Sequence, residues 1–187
     1  QSGSALNSIA DTRALFDGLG NLVNEVTSAH LTINFRENAN GPFPNPEAFP
    51  LLGIQNGDTN DFAIKATGTI YISQPGSYTF GFNSDDGGGL WIDGNPVVVA
   101  DINRGSATSL GAVDLTFGNH EMEFLYWERG GGAQVAVADT GRLGHVVEPA
   151  GPVVAEEHIR TEVAHQVQVE VAVTVEVGER APLTVGE

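Results

Sequence analysis

The sequence GSYTFGFNSDDGGGLWIDG, residues 76–94, opens as a strand: Tyr78, Phe80 and Phe82 alternate with Thr79 and Gly81, so three aromatic side chains share one face. The alternation stops at Asp85 and Asp86. Gly87, Gly88 and Gly89 follow, and Leu90, Trp91 and Ile92 resume a strand that ends in a tight turn at Asp93-Gly94. Two adjacent carboxylates therefore stand between two strands, beside backbone with unusual conformational freedom.

Neighbouring side chains on an extended strand point to opposite faces, so Asp85 and Asp86 address one point only if the backbone bends between them. The adjacent glycines permit such a bend and expose their carbonyls. A hard cation such as calcium takes about 6–8 oxygen ligands, which carboxylates, carbonyls and the hydroxyls of a ligand together supply. A solvated acidic turn accounts for the same spacing, and both readings stand at this point.

Outward from this stretch the pattern is of short alternating strands. On the N-terminal side, Phe62, Ile64, Ala66, Ile70 and Ile72 share a face against Lys65, Thr67, Thr69 and Tyr71, and Gln74-Pro75-Gly76 turns the chain into the central stretch. On the C-terminal side come Val97 to Ala100, a polar loop from Asp101 to Ser109, and a strand through Val113, Leu115 and Phe117. A Gly118-Asn119 turn leads to Met122, Phe124 and Tyr126, and Val135 and Val137 follow the loop at 128–132. Further upstream, residues 4–16 predict a short helix capped by Ser4, with Leu6, Ile9, Ala10 and Phe16 near one face and Gly18 and Gly20 at its end. The helix is expected to lie on the sheets as a lid. Residues 26–35 read as one strand, and residues 38–61, with Pro42, Pro44, Pro46 and Pro50, as a long loop. Strands at this rhythm predict an all-β fold, an antiparallel β-sandwich of jelly-roll-like type.

The loop at 128–132 forms a natural second wall for the Asp-Asp turn. Glu128 is a candidate ligand there, or else the partner of Arg129 or another arginine, and Gly131 and Gly132 offer carbonyls. Trp91 and Trp127 each have a ring that suits a sugar face, with the core as the expected place for Trp91.

The runs Gly76-Ser77-Tyr78-Thr79-Phe80, Ser84-Asp85-Asp86-Gly87, Leu90-Trp91-Ile92-Asp93-Gly94 and Trp127-Glu128-Arg129-Gly130-Gly131-Gly132-Ala133 together resemble the PA-fourteen domain, the protective-antigen-type module of secreted adhesins, glycosidases and toxins. The resemblance covers roughly residues 4–147. It implies a β-sandwich. In flocculin-type lectin members an Asp-Asp pair joined by a cis peptide holds calcium, and the calcium holds vicinal sugar hydroxyls. Carried over by position, that pair is Asp85 and Asp86. With the second-wall loop, the candidate metal set is Asp85, Asp86 and Glu128, and the candidate ligand-binding set is Asp85, Asp86, Gly87, Trp127, Gly131 and Gly132.

Bulk properties agree with such a module. A net charge of −16, from 24 acidic and 8 basic side chains, repels nucleic-acid phosphates. Lys65 is the one lysine, so a basic membrane-binding patch is absent, and no apolar run approaches the ~18 residues of a membrane span. There is no cysteine to staple the fold. A first residue of Gln1 in place of methionine fits a processed chain, and secretion to the extracellular space or cell surface is the expectation.

The catalytic patterns that a sequence can carry do not fit this one. Adjacent aspartates do not span the roughly 5–10 Å of a glycosidase acid/base pair. His30, His120, His145, His158 and His165 are scattered, and no Gly-x-Ser-x-Gly elbow occurs. A non-enzyme is expected.

Three regions are predicted: a sandwich at 1–147, a hinge at 148–162 rich in Pro, Gly and Ala, and an extended tail at 163–187. In the tail Val163 opens an alternation in which Val167, Val169, Val171, Val173, Val175 and Val177 share one face. As one strand it would run about 50 Å at ~3.3 Å per residue, and a free valine-rich strand recruits partners through its edges. It is expected to fold back, to begin a further domain, or to complete a second copy's sheet in donor-strand fashion. Two functions follow: a structural subunit of an extracellular fibre, a homopolymer built through the tail, or a calcium-dependent adhesin module for cell-surface or matrix glycans.

Overall fold

The computed structural model describes residues 6–20, 22–30, 32–37, 46–50, 60–142 and 173–180. Two antiparallel sheets face one another. One has six strands in the order β1-β10-β3-β8-β5-β6 and the other four in the order β2-β9-β4-β7. In chain order the elements are α1 (Ile9–Phe16), β1 (Leu22–His30), β2 (Asn34–Arg36), β3 (Phe62–Ile72), β4 (Gly76–Asp85), β5 (Gly87–Ile92), β6 (Asn95–Ala100), β7 (Ala107–Leu115), β8 (Gly118–Glu128), β9 (Gln134–Arg142) and β10 (Val173–Arg180).

The alternations determine which faces meet. Ile64, Ala66, Ile70 and Ile72 of β3, Phe124 and Tyr126 of β8, and Tyr78, Phe80 and Phe82 of β4 are all buried in one apolar cluster between the sheets. Burying side chains of this size stabilises by about 1.5–3 kcal/mol each. β3 and β8 form the backbone of the larger sheet, paired without a break from Phe62↔Glu128 to Ile72↔Gly118. Asp93 (φ 50°) and Gly94 (φ 75°) make the two-residue turn between β5 and β6, both in the left-handed region that such a hairpin demands.

Several expectations are corrected. The strand predicted at 26–35 is two strands in different sheets, because the chain crosses the sandwich between His30 and Asn34. β7 starts at Ala107, inside the stretch read as loop, and ends at Leu115, so Phe117 lies beyond it and is exposed. Ser8, not Ser4, caps the helix: its Oγ accepts from the Asp11 backbone N–H. Ser4 and most of the loop predicted at 38–61 lie outside the described residues, although Phe49 is in the core.

Of the three readings of the tail, residues 173–180 take the first and fold back. Val173–Arg180 pairs antiparallel with β1 on one side, Val177 opposite Val26, and with β3 on the other, Val175 opposite Ala66. β10 is therefore an interior strand of the sandwich, not a separate extension. Val163, Val167, Val169 and Val171 lie outside the described residues.

The helix covers the outer face of the larger sheet. Leu6 and Leu15 pack with Ala63 and Trp127 into a second, smaller core. Its start is tied down by Asp101, whose Oδ1 accepts from the Ile9 backbone N–H at 2.8 Å, and by Asn103, whose Nδ2 donates to Asn7 Oδ1 at 2.9 Å.

Candidate functional site

β4 and β5 belong to different sheets, so Asp85 and Asp86 occupy the link by which the chain crosses from one to the other. The peptide between them is cis. Two more loops meet this link: residues 101–106, between β6 and β7, and residues 129–133, between β8 and β9. Asp86 ties them together, since Oδ1 accepts from the Arg104 backbone N–H and Oδ2 from the Arg129 backbone N–H, both at 2.9 Å.

Glu128, the last residue of β8, completes a triad: one oxygen from each of Asp85, Asp86 and Glu128 lies within 4.8 Å of the others. Glu128 is 0% exposed and Asp86 7%, while Asp85 is half-buried. Three carboxylates this close in a shielded place do not ionise together at low cost. Burial, then the charges of Asp86 and Asp85, push the Glu128 carboxyl up to about 8. Burial and the charge of Asp86 raise Asp85 as well, against the pull of the Ser106 backbone N–H and Arg104.

Tyr126 gives this protonation a structural expression. Its hydroxyl has one hydrogen but two oxygens in reach, the Asp85 carbonyl at 2.5 Å and Glu128 Oε2 at 3.2 Å. An ionised Glu128 accepts from the Tyr126 hydroxyl, which then shares its one hydrogen; a protonated Glu128 would supply a second hydrogen and donate to Tyr126 while Tyr126 donates to the carbonyl. The other oxygen, Oε1, accepts from the Gly130 backbone N–H at 2.7 Å. Burial also keeps Tyr126 itself a neutral phenol, raised well above its ordinary range.

A hard divalent cation suits this donor set. It would replace the proton, and the site is acidic, oxygen-only and open on one side through Asp85 and the exposed Gly131 and Gly132. Gly131, at φ 111°, needs glycine for its backbone conformation.

The remaining expected site residues separate. Gly87 is buried, and a Cβ there would stand 2.2 Å from the Trp127 ring and 2.7 Å from the Ala100 carbonyl. Trp127 is 0% exposed beneath the helix, with Nε1 donating to Asn103 Oδ1 at 3.0 Å. Its ring therefore faces no ligand. Trp91, expected in the core, is instead partly exposed, with the Arg13 guanidinium 4.7 Å from its ring centroid. The two tryptophans exchange roles because Trp127 lies in the small core under Leu6 and Leu15, whereas Trp91, near the end of an otherwise buried β5, meets the Arg13 side chain of the helix.

Two features of the site have no local signal in the sequence. Arg104 reaches into the turn, with contacts given below. A buried amide pair, Asn83 and Gln134, links β4 to β9: Gln134 Nε2 donates to Asn83 Oδ1 at 2.5 Å and also contacts Ser106 Oγ. Asn83 Nδ2 in turn donates to Thr108 Oγ1 at 3.0 Å.

No helix among the described residues is long and apolar enough to cross a membrane. No curated protein matches the chain. A solved PA14 domain of the MpAFP antifreeze protein is similar at 22% identity and TM-score 0.55, over 76% of this chain and 79% of that one. A PA14 sugar-binding domain from an RTX adhesin aligns at 33% identity over 42% of this chain and 47% of that one, with TM-score 0.37. An anti-sigma factor domain-containing protein from Clostridium clariflavum aligns at 19% identity over 71% of this chain and 44% of its own, with TM-score 0.47. The family model of the PA14 domain matches residues 51–152, which takes in the central stretch, the Asp-Asp link and Glu128. With the sandwich and the matched residues in agreement, the chain belongs to the PA14 domain family.

Proposed function

We propose that this domain is a calcium-dependent carbohydrate-binding module of an extracellular or cell-surface adhesin, acting by binding and not by catalysis. The observation that carries the reading is the convergence of Asp85, Asp86 and Glu128 within 4.8 Å at a pole where three loops meet. These three carboxylates would hold the ion. A bound calcium supplies neutralising charge and open coordination positions for the vicinal hydroxyls of a sugar, which is the use of an Asp-Asp pair that the family resemblance implies. The chain's own part is to fix Asp86 through two backbone N–H groups, to keep Asp85 accessible, and to present Gly131 and Gly132 beside it. Millimolar extracellular calcium matches the affinity range of open sites of this kind, about 10⁻⁴–10⁻³ M.

The test is thermal melting and glycan-array binding of the full chain in calcium and in chelator, beside Asp85→Asn/Asp86→Asn. Calcium is expected to raise the melting temperature of the parent and to be required for glycan capture, with neither effect in the double variant. Equal melting of parent and variant under both conditions would refute the metal site. Calcium binding without any glycan capture would leave a structural ion and refute the carbohydrate reading.

A second reading concerns assembly into an extracellular fibre. Its supporting observation is that β10 closes the larger sheet from the far end of the chain, entering between β1 and β3 some thirty residues after β9 ends at Arg142. The same slot accepts Val173–Arg180 of a second copy, so polymerisation would proceed by strand exchange and not by capture of a free strand. Negative-stain microscopy and light scattering of the full chain against a chain ending at Val147 decide it. Filaments or closed dimers from the full chain alone support exchange, and a concentration-independent monomer refutes it.

A further inference from the structure

We infer that Arg104 is the positioning residue of the calcium site, holding the Ser84–Asp86 turn in its metal-receiving shape before a cation arrives. The inference rests on the calcium reading above.

Arg104 comes from the β6–β7 loop, yet its bonds converge on the turn. Its backbone N–H donates to Asp86 Oδ1 at 2.9 Å and its Nε to the Asp86 carbonyl at 3.4 Å. Nη2 donates to Ser84 Oγ and to the Ala107 carbonyl, each at 3.0 Å, and Nη1 to Ser109 Oγ at 2.9 Å. Ser84, fully buried, passes the contact on by donating from Oγ to the same Asp86 carbonyl at 2.7 Å. The guanidinium also lies 5.7 Å from the centroid of the Phe82 ring, so the core supports the fork from below.

The choice of acceptors distinguishes positioning from a direct ion pair, although the Arg104 charge does act on Asp85 through space. Every guanidinium bond goes to a carbonyl or a hydroxyl, and none among the described residues goes to a carboxylate oxygen of Asp85, Asp86 or Glu128. An arginine serving as counter-ion would sit bidentate on a carboxylate. Here the guanidinium leaves the carboxylate oxygens to backbone N–H groups and a cation, and clamps the Ser84 hydroxyl and the Asp86 carbonyl on either side of Asp85. A lysine cannot reproduce this, because its single ammonium lacks the planar fork that spans Asp86, Ser84 and Ser109 together.

The two roles predict opposite signs. A positive charge beside a cation site opposes the cation, so a bystander Arg104 would tighten calcium binding when removed. A positioning Arg104 would weaken it.

The experiment is calorimetric calcium titration of the full chain as parent, Arg104→Ala and Arg104→Lys, with hydrogen exchange of residues 84–87 followed in chelator. Arg104→Ala is expected to bind calcium about tenfold more weakly, to exchange faster at 84–87 without metal, and to regain affinity in millimolar guanidinium. Arg104→Lys, which keeps the charge, is expected to remain weakened. Unchanged or tighter binding by Arg104→Ala overturns the inference alone. Should Arg104→Ala not fold, parent-like affinity in Arg104→Lys or Ser109→Ala overturns it instead. A parent that takes no calcium overturns the metal reading and this inference with it.

Discussion

Replacing Glu128 by Gln separates the cost of the acidic cluster from its use. In the metal-free fold the Glu128 carboxyl titrates near 8 instead of its ordinary 4.5, chiefly because it is buried and then because Asp86 and Asp85 are charged. For an acid whose folded value is raised, the fold favours the protonated form. Its cost is absent below pH 4.5, grows as pH rises through the window to 8, and is constant above it. Over that span the penalty reaches about 5 kcal/mol as an upper limit, at 1.36 kcal/mol per pH unit, which is a large share of a typical domain's ~5–15 kcal/mol. Glutamine mimics the protonated acid: its amide donates to Tyr126 Oη while its carbonyl accepts from the Gly130 N–H. In chelator Glu128→Gln is therefore expected to match the parent at pH 5 and exceed it by a few kcal/mol at pH 8, measured by urea unfolding. In calcium the order reverses, because only the parent can supply the third carboxylate. Calorimetry in PIPES and in Tris at pH 7 should show the parent releasing close to one proton more per calcium than the variant. Parallel pH profiles in chelator, together with equal proton release, would refute the reasoning.

Two further predictions follow from the frame around the site. His120 Nδ1 faces Asp93 Oδ2 at 2.6 Å and Nε2 faces the Thr116 carbonyl at 2.9 Å, two acceptors that only an imidazolium satisfies at once. The Asp93 hydrogen bond, outweighing burial, raises His120 above 6.5. Its contribution to stability is thus full below pH 6.5 and lost as pH rises through the folded midpoint. Ring-proton NMR should find that raised midpoint, and His120→Asn should flatten stability across the window. Gly87→Ala places a methyl 2.2 Å from the Trp127 ring. It is expected to destabilise by about 1–3 kcal/mol through overpacking, and an unchanged urea midpoint would contradict the close approach.

The sandwich was legible because burial between two sheets imposes a period of two, and β3, β4 and β8 carry that period plainly. The Asp-Asp link was legible because two carboxylates beside three glycines interrupt such a period conspicuously. Alternation tells which side chains share a face, but not what covers the face. Alternation alone therefore does not place Trp127 and Trp91: the deciding fact is where α1 lies, and that depends on Leu6 and Leu15 finding Ala63 across the chain. Strand order is likewise non-local. Nothing in Val173–Arg180 itself says that its neighbours are β1 and β3. Arg104 escaped notice because its acceptors, a carbonyl and three hydroxyl or carbonyl groups on β4 and β7, leave no mark on residue identity near it.

The placement of the acidic triad bears on what occupancy does to the whole sandwich. Asp85 ends a strand of the four-stranded sheet, Glu128 ends a strand of the six-stranded sheet, and Asp86 lies in the link between them. After burial, the charges of Asp86 and Asp85 raise Glu128, and they act across the gap between the sheets at one pole. A proton on Glu128 or a divalent cation would relieve the cost of these charges. The surrounding bonds run the same way, since Asp86 receives N–H groups from the β6–β7 loop and the β8–β9 loop, and each of those loops joins one sheet to the other. A ligand that engaged only a surface loop would shift local exchange alone. Occupancy here is expected to slow hydrogen exchange in β4 and β8 together, because the clamp it completes spans both layers.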